Sequence, residues 1–486
     1  MTTRITGLSN SGLDTDALVK SIMQAKRASY ERILQQKTQT EWKKADDFAL
    51  YKSLSDFRNN TVFNFKMTSS LATKKAVSSD DSKVSAVANA DAATFTHTID
   101  VTKLATGASL SSNAKITGSI SSAAATIVLN GINVEIGANS TMNDIASAIN
   151  NTAGVNVKAN YDATLNRFFM VSTNSGADAK IDLTGNTSAA SLDILKTLKL
   201  ADATATAGPI ITGQNAEFTL DGATSAELGI NTNNFTVSGV KYNLKAVTNG
   251  TISIGVSSDT DKMVANVKSF IESYNTMLGS INTKINETKY RDFLPLSADQ
   301  KAAMSESEVT EWEKKAKSGM LKNDATLSAL SYAMRENFAK NIEGLTGSYT
   351  TAANIGITSG LYSEKGKLYL DEDKLKAALE ADPEIVQKMF GTDGTTANKD
   401  GIAVRLYDTL KVAIDKIKVD AGTTATIDYT SNLGKKISAY EKTLADLNTR
   451  LNAMEDSYYM KFSAMETALT KINSQSSWLS QQLGSS

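Results

Sequence analysis

ISAYEKTLADLNTRLNAMEDSYYMKFSAMETALTKINSQSSWL, residues 437–479, is the stretch that decides how the ends of this 486-residue chain are built. Ile437, Leu444, Leu451, Tyr458, Met465, Ile472 and Leu479 recur every seven residues, which lines them along one side of a single helix. Tyr440, Leu447 and Met454 supply a second apolar row through the first half only. That row then turns polar at Lys461 and Gln475, with Ala468 between them, and apolar character moves one residue on, to Phe462, Leu469 and Leu483. A straight helix of about 3.6 residues per turn drifts in this way against a strict heptad, so the two halves are expected to meet different partners.

The other end carries a helical signal of its own. After Ser9-Asn10-Ser11-Gly12, Asp14 can cap a helix with Asp16 in its first turn. Leu18, Ile22, Ile33 and Leu34 follow at helical spacings as far as Trp42. A further periodic segment holds Phe48, Tyr51, Leu54, Phe57 and Val62, and runs out in the polar stretch Ser78-Ser79-Asp80-Asp81-Ser82. Leu18 and Ile22, with Ile437, Tyr440, Leu444, Leu447, Leu451, Met454, Tyr458, Met465, Leu469, Ile472 and Leu479, are the candidate helix-packing and assembly residues.

Between the ends the period changes to two. Phe95, His97, Ile99 and Val101 share one strand face, with Thr94, Thr96, Thr98, Asp100 and Thr102 on the other. Thr126 to Leu129, then Asn130-Gly131, then Ile132 to Ile136 predicts a tight hairpin, because both turn residues tolerate positive φ. Thr141 with Asp144 is a capping box opening a helix through Ile145 and Ile149. Glu217-Phe218-Thr219-Leu220-Asp221-Gly222 echoes the first hairpin and makes two related β modules plausible. Helices resume after Asp259, with Val264, Val267, Ile271, Tyr274, Leu278 and Ile281 on one face. Ser297 with Gln300 and Ser305 with Glu308 form two more capping boxes. A short hairpin is expected within Leu361 to Leu370 around Gly366, and helices are expected to start at Asp371 and at Asp382-Pro383.

The fold class is therefore α+β and multidomain. Residues 1–46 and 430–486 are expected to form a coiled-coil or helix-bundle stalk, and 47–76 with 258–429 a helical domain. Residues 77–110 with 209–257 and residues 111–208 are expected to form two inserted β-rich modules.

The composition excludes several kinds of chemistry. With 51 basic and 52 acidic residues the net charge is −1, which offers no field to a polyanion, and no nucleic-acid partner is expected. The absence of cysteine removes disulfides, thiolate metal sites and thiol nucleophiles. His97 is the single histidine and sits on an apolar strand face, so a half-buried strand residue is expected there, not a ligand. Asp371, Glu372 and Asp373, like Asp259 and Asp261, read as helix caps, since no calcium-type loop follows. Phosphate-binding loops, dinucleotide fingerprints and nucleophile elbows are missing, so no enzyme, cofactor or metal is expected. No run approaches the length of a membrane span, and the first residues lack the pattern of a secretory signal. Such a chain is expected to stay in the cytoplasm or to leave by a signal-free route.

Taken in order along the chain, these segments resemble the flagellar filament cap family, flagellar hook-associated protein 2 (FliD). The resemblance rests on Gly7-Leu8-Ser9-Asn10-Ser11-Gly12-Leu13-Asp14-Thr15-Asp16-Ala17-Leu18-Val19, on Ile99 to Ala105, on Val240 to Val247 and on Phe270-Ile271-Glu272-Ser273-Tyr274-Asn275. It continues at Pro295-Leu296-Ser297, at Trp312 to Gly319, at Leu368-Tyr369-Leu370-Asp371, at Asp382 to Val386, and at Phe462 to Glu466 through Asn473-Ser474-Gln475-Ser476-Ser477-Trp478-Leu479. It implies a secreted structural protein at the distal tip of the flagellar filament. It further implies a ring-like homo-oligomer of about five subunits, flagellin as partner, and unfolded passage through the flagellar type III export apparatus with an export chaperone. A surface adhesin, binding host mucin or glycans through the β modules, is the alternative reading. A flagellin or a hook–filament junction protein also pairs terminal helices around a variable middle, but the terminal motifs fit the cap better.

Overall fold

A computed structural model describes residues 14–67, 71–118, 123–424 and 429–483. The chain divides into two compact units, one of Met1–Leu71 with Val264–Ser486 and the other of Ala72–Met263.

Unit Ala72–Met263 holds two hydrophobic cores. The first is enclosed by a five-stranded antiparallel sheet in the order Lys74–Ser78, Ile252–Ser258, Thr96–Lys103, Glu217–Leu220, Ala223–Thr224. A three-stranded sheet of Asn234–Val237, Val240–Leu244 and Val84–Ala88 completes it. Alternation delivers Ile99, Val101, Phe218, Leu220, Tyr242 and Ile254 to this core, all nearly inaccessible. The second core gathers Ile127, Leu129, Val134, Ile145, Ile149, Phe168, Met170 and Leu195 from hairpins and from the helices Met142–Asn151 and Ala189–Thr197. The hairpin Ala125–Leu129/Ile132–Ile136 turns on Asn130 (φ 53°) and Gly131 (φ 80°), as its sequence predicts. Asp221 (φ 51°) and Gly222 (φ 88°) repeat that geometry, so the sequence echo is a shared turn chemistry. Produced as a separate chain, residues 72–263 are expected to fold as a β-rich unit with a cooperative urea transition. A coil-like circular-dichroism spectrum with no transition would contradict this.

The helical unit is centred on Thr260–Asn286, whose Val264, Val267, Ile271, Tyr274, Leu278 and Ile281 are buried along one stripe. Phe270 meets Phe65 at 4.4 Å and Phe390 at 5.5 Å between ring centroids, joining three helices in one aromatic cluster. The capping boxes at Thr141, Ser297 and Ser305 all form, and Asp14 accepts from the Ala17 N–H at 2.9 Å.

Four local readings are corrected. The second N-terminal periodic segment does not extend to the polar stretch: its helix ends at Lys66, and Lys74–Ser78 is a strand paired with Ile252–Ser258. Phe57 and Val62 are both buried because Phe57–Val62 is a π turn, whose wider winding sets residues five apart on one side. The hairpin near Gly366 starts earlier than expected, at Ile357–Ser359, and reaches Leu368–Leu370 through the short turn Tyr362–Glu364. Pro383 precedes its helix, Ile385–Gly391, instead of opening it; Asp382 accepts from the Glu384 N–H at 3.0 Å and pairs with Lys388 at 2.9 Å.

The long helix Ala28–Asp56 carries charge into this unit. Lys44 is buried and donates to the Thr424 carbonyl at 3.0 Å, while Asp47, also buried, faces Lys43 at 3.3 Å. Burial pushes the Asp47 carboxyl up to about 6, against the pull of Lys43. Its unfolded value is near 4, so between about pH 4 and pH 6 the folded chain holds the extra proton. Stability from this group is present below pH 4, falls as pH rises through 6, and is level above it. Asp47→Asn is therefore expected to gain on the native protein by roughly 2 kcal/mol between pH 4 and pH 7, read from urea midpoints. Parallel stability curves for the two proteins would contradict it.

Candidate assembly surface

The C-terminal helix Asn432–Leu483 and the N-terminal helices Thr15–Lys26 and Ala28–Asp56 lie side by side and antiparallel. Polar contacts fix the register. The Tyr459 hydroxyl donates to Asp16 Oδ1 at 3.0 Å, Arg27 faces Glu455 at 3.7 Å, and Lys37 faces Glu441 at 3.5 Å. Apolar contact does the holding: Val19, Met23 and Leu451 form a small buried core flanked by Tyr30, Tyr458, Tyr459 and Phe462.

Along the heptad row, the first members are buried and the last are exposed. Ile437, Leu444 and Leu451 are buried. Tyr440, Leu447, Tyr458 and Leu469 are half-buried, and Met454 is at the edge of exposure. Met465, Ile472 and Leu479 are open to solvent, Ile472 by 59% and Leu479 by 54%. On the N-terminal helix Ile22 is half-buried and Leu18 exposed; the buried pair is Val19 and Met23, one position further round. Those two have the same four-residue spacing, so spacing alone does not separate the rows; the partner helix does. Residues 7–13 of the N-terminal motif lie outside the described residues.

The row does not end with its contacts. Met465, Leu479 and Leu483 lie within about 20° of Ile472 on an ideal helix, and all four are exposed. An isolated helical stretch of this length is marginal in water, and an apolar line along it is the signature of a helix that packs against another. Burying each such side chain stabilises by about 1.5–3 kcal/mol.

No such argument attaches to the former chemical candidates. His97 is fully buried, where half-burial was expected, because Asp221 reaches it from a hairpin turn far along the chain and binds its Nδ1 at 2.6 Å. Partial burial works to raise the Asp221 carboxyl, but hydrogen bonds from the Thr98 N–H and from His97 hold it below its ordinary value. Asp371 caps its helix through the Lys374 N–H at 3.1 Å. Among the described residues no cluster of three or more His, Asp or Glu could hold a metal ion, and no helix is long and apolar enough to cross a membrane.

Fold and surface together define the class: a multidomain α+β structural protein whose terminal helices pair and continue into an open apolar face. The chain belongs to the flagellar hook-associated protein 2 family, whose N-terminal model matches residues 11–108 and whose C-terminal model matches residues 213–474. The unmatched interval between them holds most of the second β core. Flagellar hook-associated protein 2 from Halalkalibacterium halodurans is 28% identical over 98% of this chain and 99% of its own. A B-type flagellar hook-associated protein 2 from Pseudomonas aeruginosa is 30% identical over 87% of this chain and 84% of its own. The crystal structure of the D1-D2-D3 domains of the flagellar cap protein FliD from Escherichia coli shares the fold, at TM-score 0.51 and 21% identity over 75% of this chain and 96% of that one. The function that follows is that of a flagellar cap protein. The names of these relatives give no support to the adhesin reading.

Proposed function

We propose that the chain is the structural cap at the distal end of the bacterial flagellar filament, where it promotes flagellin polymerisation and prevents loss of flagellin monomers, with no catalytic step. The observation that carries this reading is the continuous apolar row from Met465 to Leu483, which one folded chain leaves uncovered. In the proposed arrangement residues 1–46 and 430–486 form the stalk that enters the assembly, and 47–76 with 258–429 the helical domain. The β modules 77–110 with 209–257 and 111–208 form the plate. Leu18, Ile22 and the heptad residues supply the helix-packing contacts. A ring of about five copies, unfolded export through the flagellar type III apparatus, and an export chaperone rest on the family resemblance.

The test is immunogold imaging of flagella in the host bacterium, with the chromosomal copy deleted and an epitope-tagged copy supplied. Gold is expected at distal filament ends, with flagellin shed into the medium only when the tagged copy is withheld. Gold spaced along filament sides, or full-length filaments without the protein, would overturn the assignment.

A further inference from the structure

The helical unit presents a second surface whose composition is that of a protein contact. In the turn between Ser359 and Leu368, Leu361 is 74% exposed and Tyr362 87%. These large apolar side chains are not on a loose loop. The Tyr369 hydroxyl donates to Glu364 Oε1 and the Leu361 N–H donates to Glu364 Oε2 at 2.7 Å, which keeps that carboxyl below its ordinary range. Lys365 (φ 53°) and Gly366 (φ 92°) take the left-handed conformation, and a Cβ on Gly366 would meet Arg335 Cγ at 2.2 Å, so the Arg335 stem occupies that space. The Arg335 guanidinium lies 5.8 Å from the Tyr362 ring centroid, with Lys365 and Lys367 exposed beside it. The result is a rigid, cationic, aromatic knuckle. Tyrosine and arginine dominate interface hot spots, and a pre-ordered loop loses little entropy on binding.

The same unit contains a groove with the opposite character. It has a volume of about 500 Å³ over an apolar floor at Val19 and Met23, and its walls carry four carboxylates, Asp16, Glu31, Asp299 and Glu455, against two cations. Glu31 Oε2 is buried there without a hydrogen-bond partner, a cost that an incoming cation would offset. Groove and knuckle share no residues. A contact between two different patches on identical copies is heterologous, and such contacts form a ring where the rotation between copies closes and an open filament where it does not.

We infer that the Tyr362 knuckle of one copy seats in the Val19–Met23 groove of a second copy, with Arg335 or Lys365 answering Glu31, and that this head-to-tail contact closes the ring. It rests on the reading of the chain as a ring-forming cap. Charge opposition gives the contact its direction.

The test uses the full-length chain in sedimentation. Tyr362→Ser with Lys365→Glu, and separately Glu31→Lys, are expected to weaken self-association roughly 30-fold or more; the knuckle variant should keep the native melting curve, since Tyr362 and Lys365 are exposed. Mixing the two variants should restore one good contact per pair and yield dimers that go no further. The chain has no cysteine, so Ser363→Cys and Gln24→Cys chains can be mixed under mild oxidation; a crosslink between the two variants is expected to exceed either self-crosslink. Native association of the knuckle variant, or self-crosslinks alone, would overturn the contact and leave the ring reading standing. A wild-type chain that stays monomeric at every concentration would overturn both. Crosslinking of Ser363→Cys to added flagellin, and not to Gln24→Cys, would assign the knuckle to flagellin instead.

Discussion

Replacing Leu444 and Leu451 together by lysine is expected to separate the terminal helices and leave the β unit intact. Both side chains are buried in the single chain, and Leu451 lies in the small core with Val19 and Met23. Truncating a buried leucine costs about 2–5 kcal/mol, and a lysine adds the expense of an unpaired charge against an apolar wall. Two such changes rival the whole stability of a typical domain, about 5–15 kcal/mol. Amide exchange across Val19 and Met23 should therefore accelerate to nearly unprotected rates, while Ile99, Phe168 and Met170 in the β cores keep their protection. In the host bacterium filaments should be short and flagellin should appear in the medium. Native protection at Val19 and Met23 in the double variant would refute the role given to these leucines.

What the sequence reveals follows the range of the forces involved. Capping at Asp14, Thr141, Ser297 and Ser305 and the turn at Asn130-Gly131 are set by atoms a few residues apart, so their spacing is sufficient evidence. The heptad row is legible for the same reason, since every member lies on one helix. Features that depend on a distant partner leave no such local trace. Lys74–Ser78 became a strand because Ile252–Ser258 runs beside it, and His97 became fully buried because Asp221 turns back over it. The buried N-terminal row is Val19 and Met23 because the C-terminal helix approaches that side, a choice that two rows of equal spacing could not announce. The Tyr362 knuckle is hidden for another reason: its rigidity comes from Glu364 and Arg335 meeting around Gly366, and Arg335 is 31 residues away along the chain.

The exposed half of the row provides the sharper test, because stability and function should part there. Ile472 and Leu479 touch nothing that buries them in the single chain, so replacing both by lysine removes no internal packing and should leave the melting temperature within about 1 °C of the native value. Each side chain would gain about 1.5–3 kcal/mol on entering a helix-packed assembly; losing both forfeits roughly 3–6 kcal/mol. Placing two charges on the same line costs more again. At about 1.4 kcal/mol per tenfold, the forfeited burial alone weakens attachment by about two to four orders of magnitude. The variant should therefore be secreted in normal amounts, fold normally, and be absent from filament tips, with flagellin accumulating in the medium as is expected when the protein is withheld. The pair Leu444 and Leu451 cannot make this distinction, since their loss disturbs the fold first. Tip labelling and filament lengths indistinguishable from the native protein would show that the row past Met465 is not the assembly face.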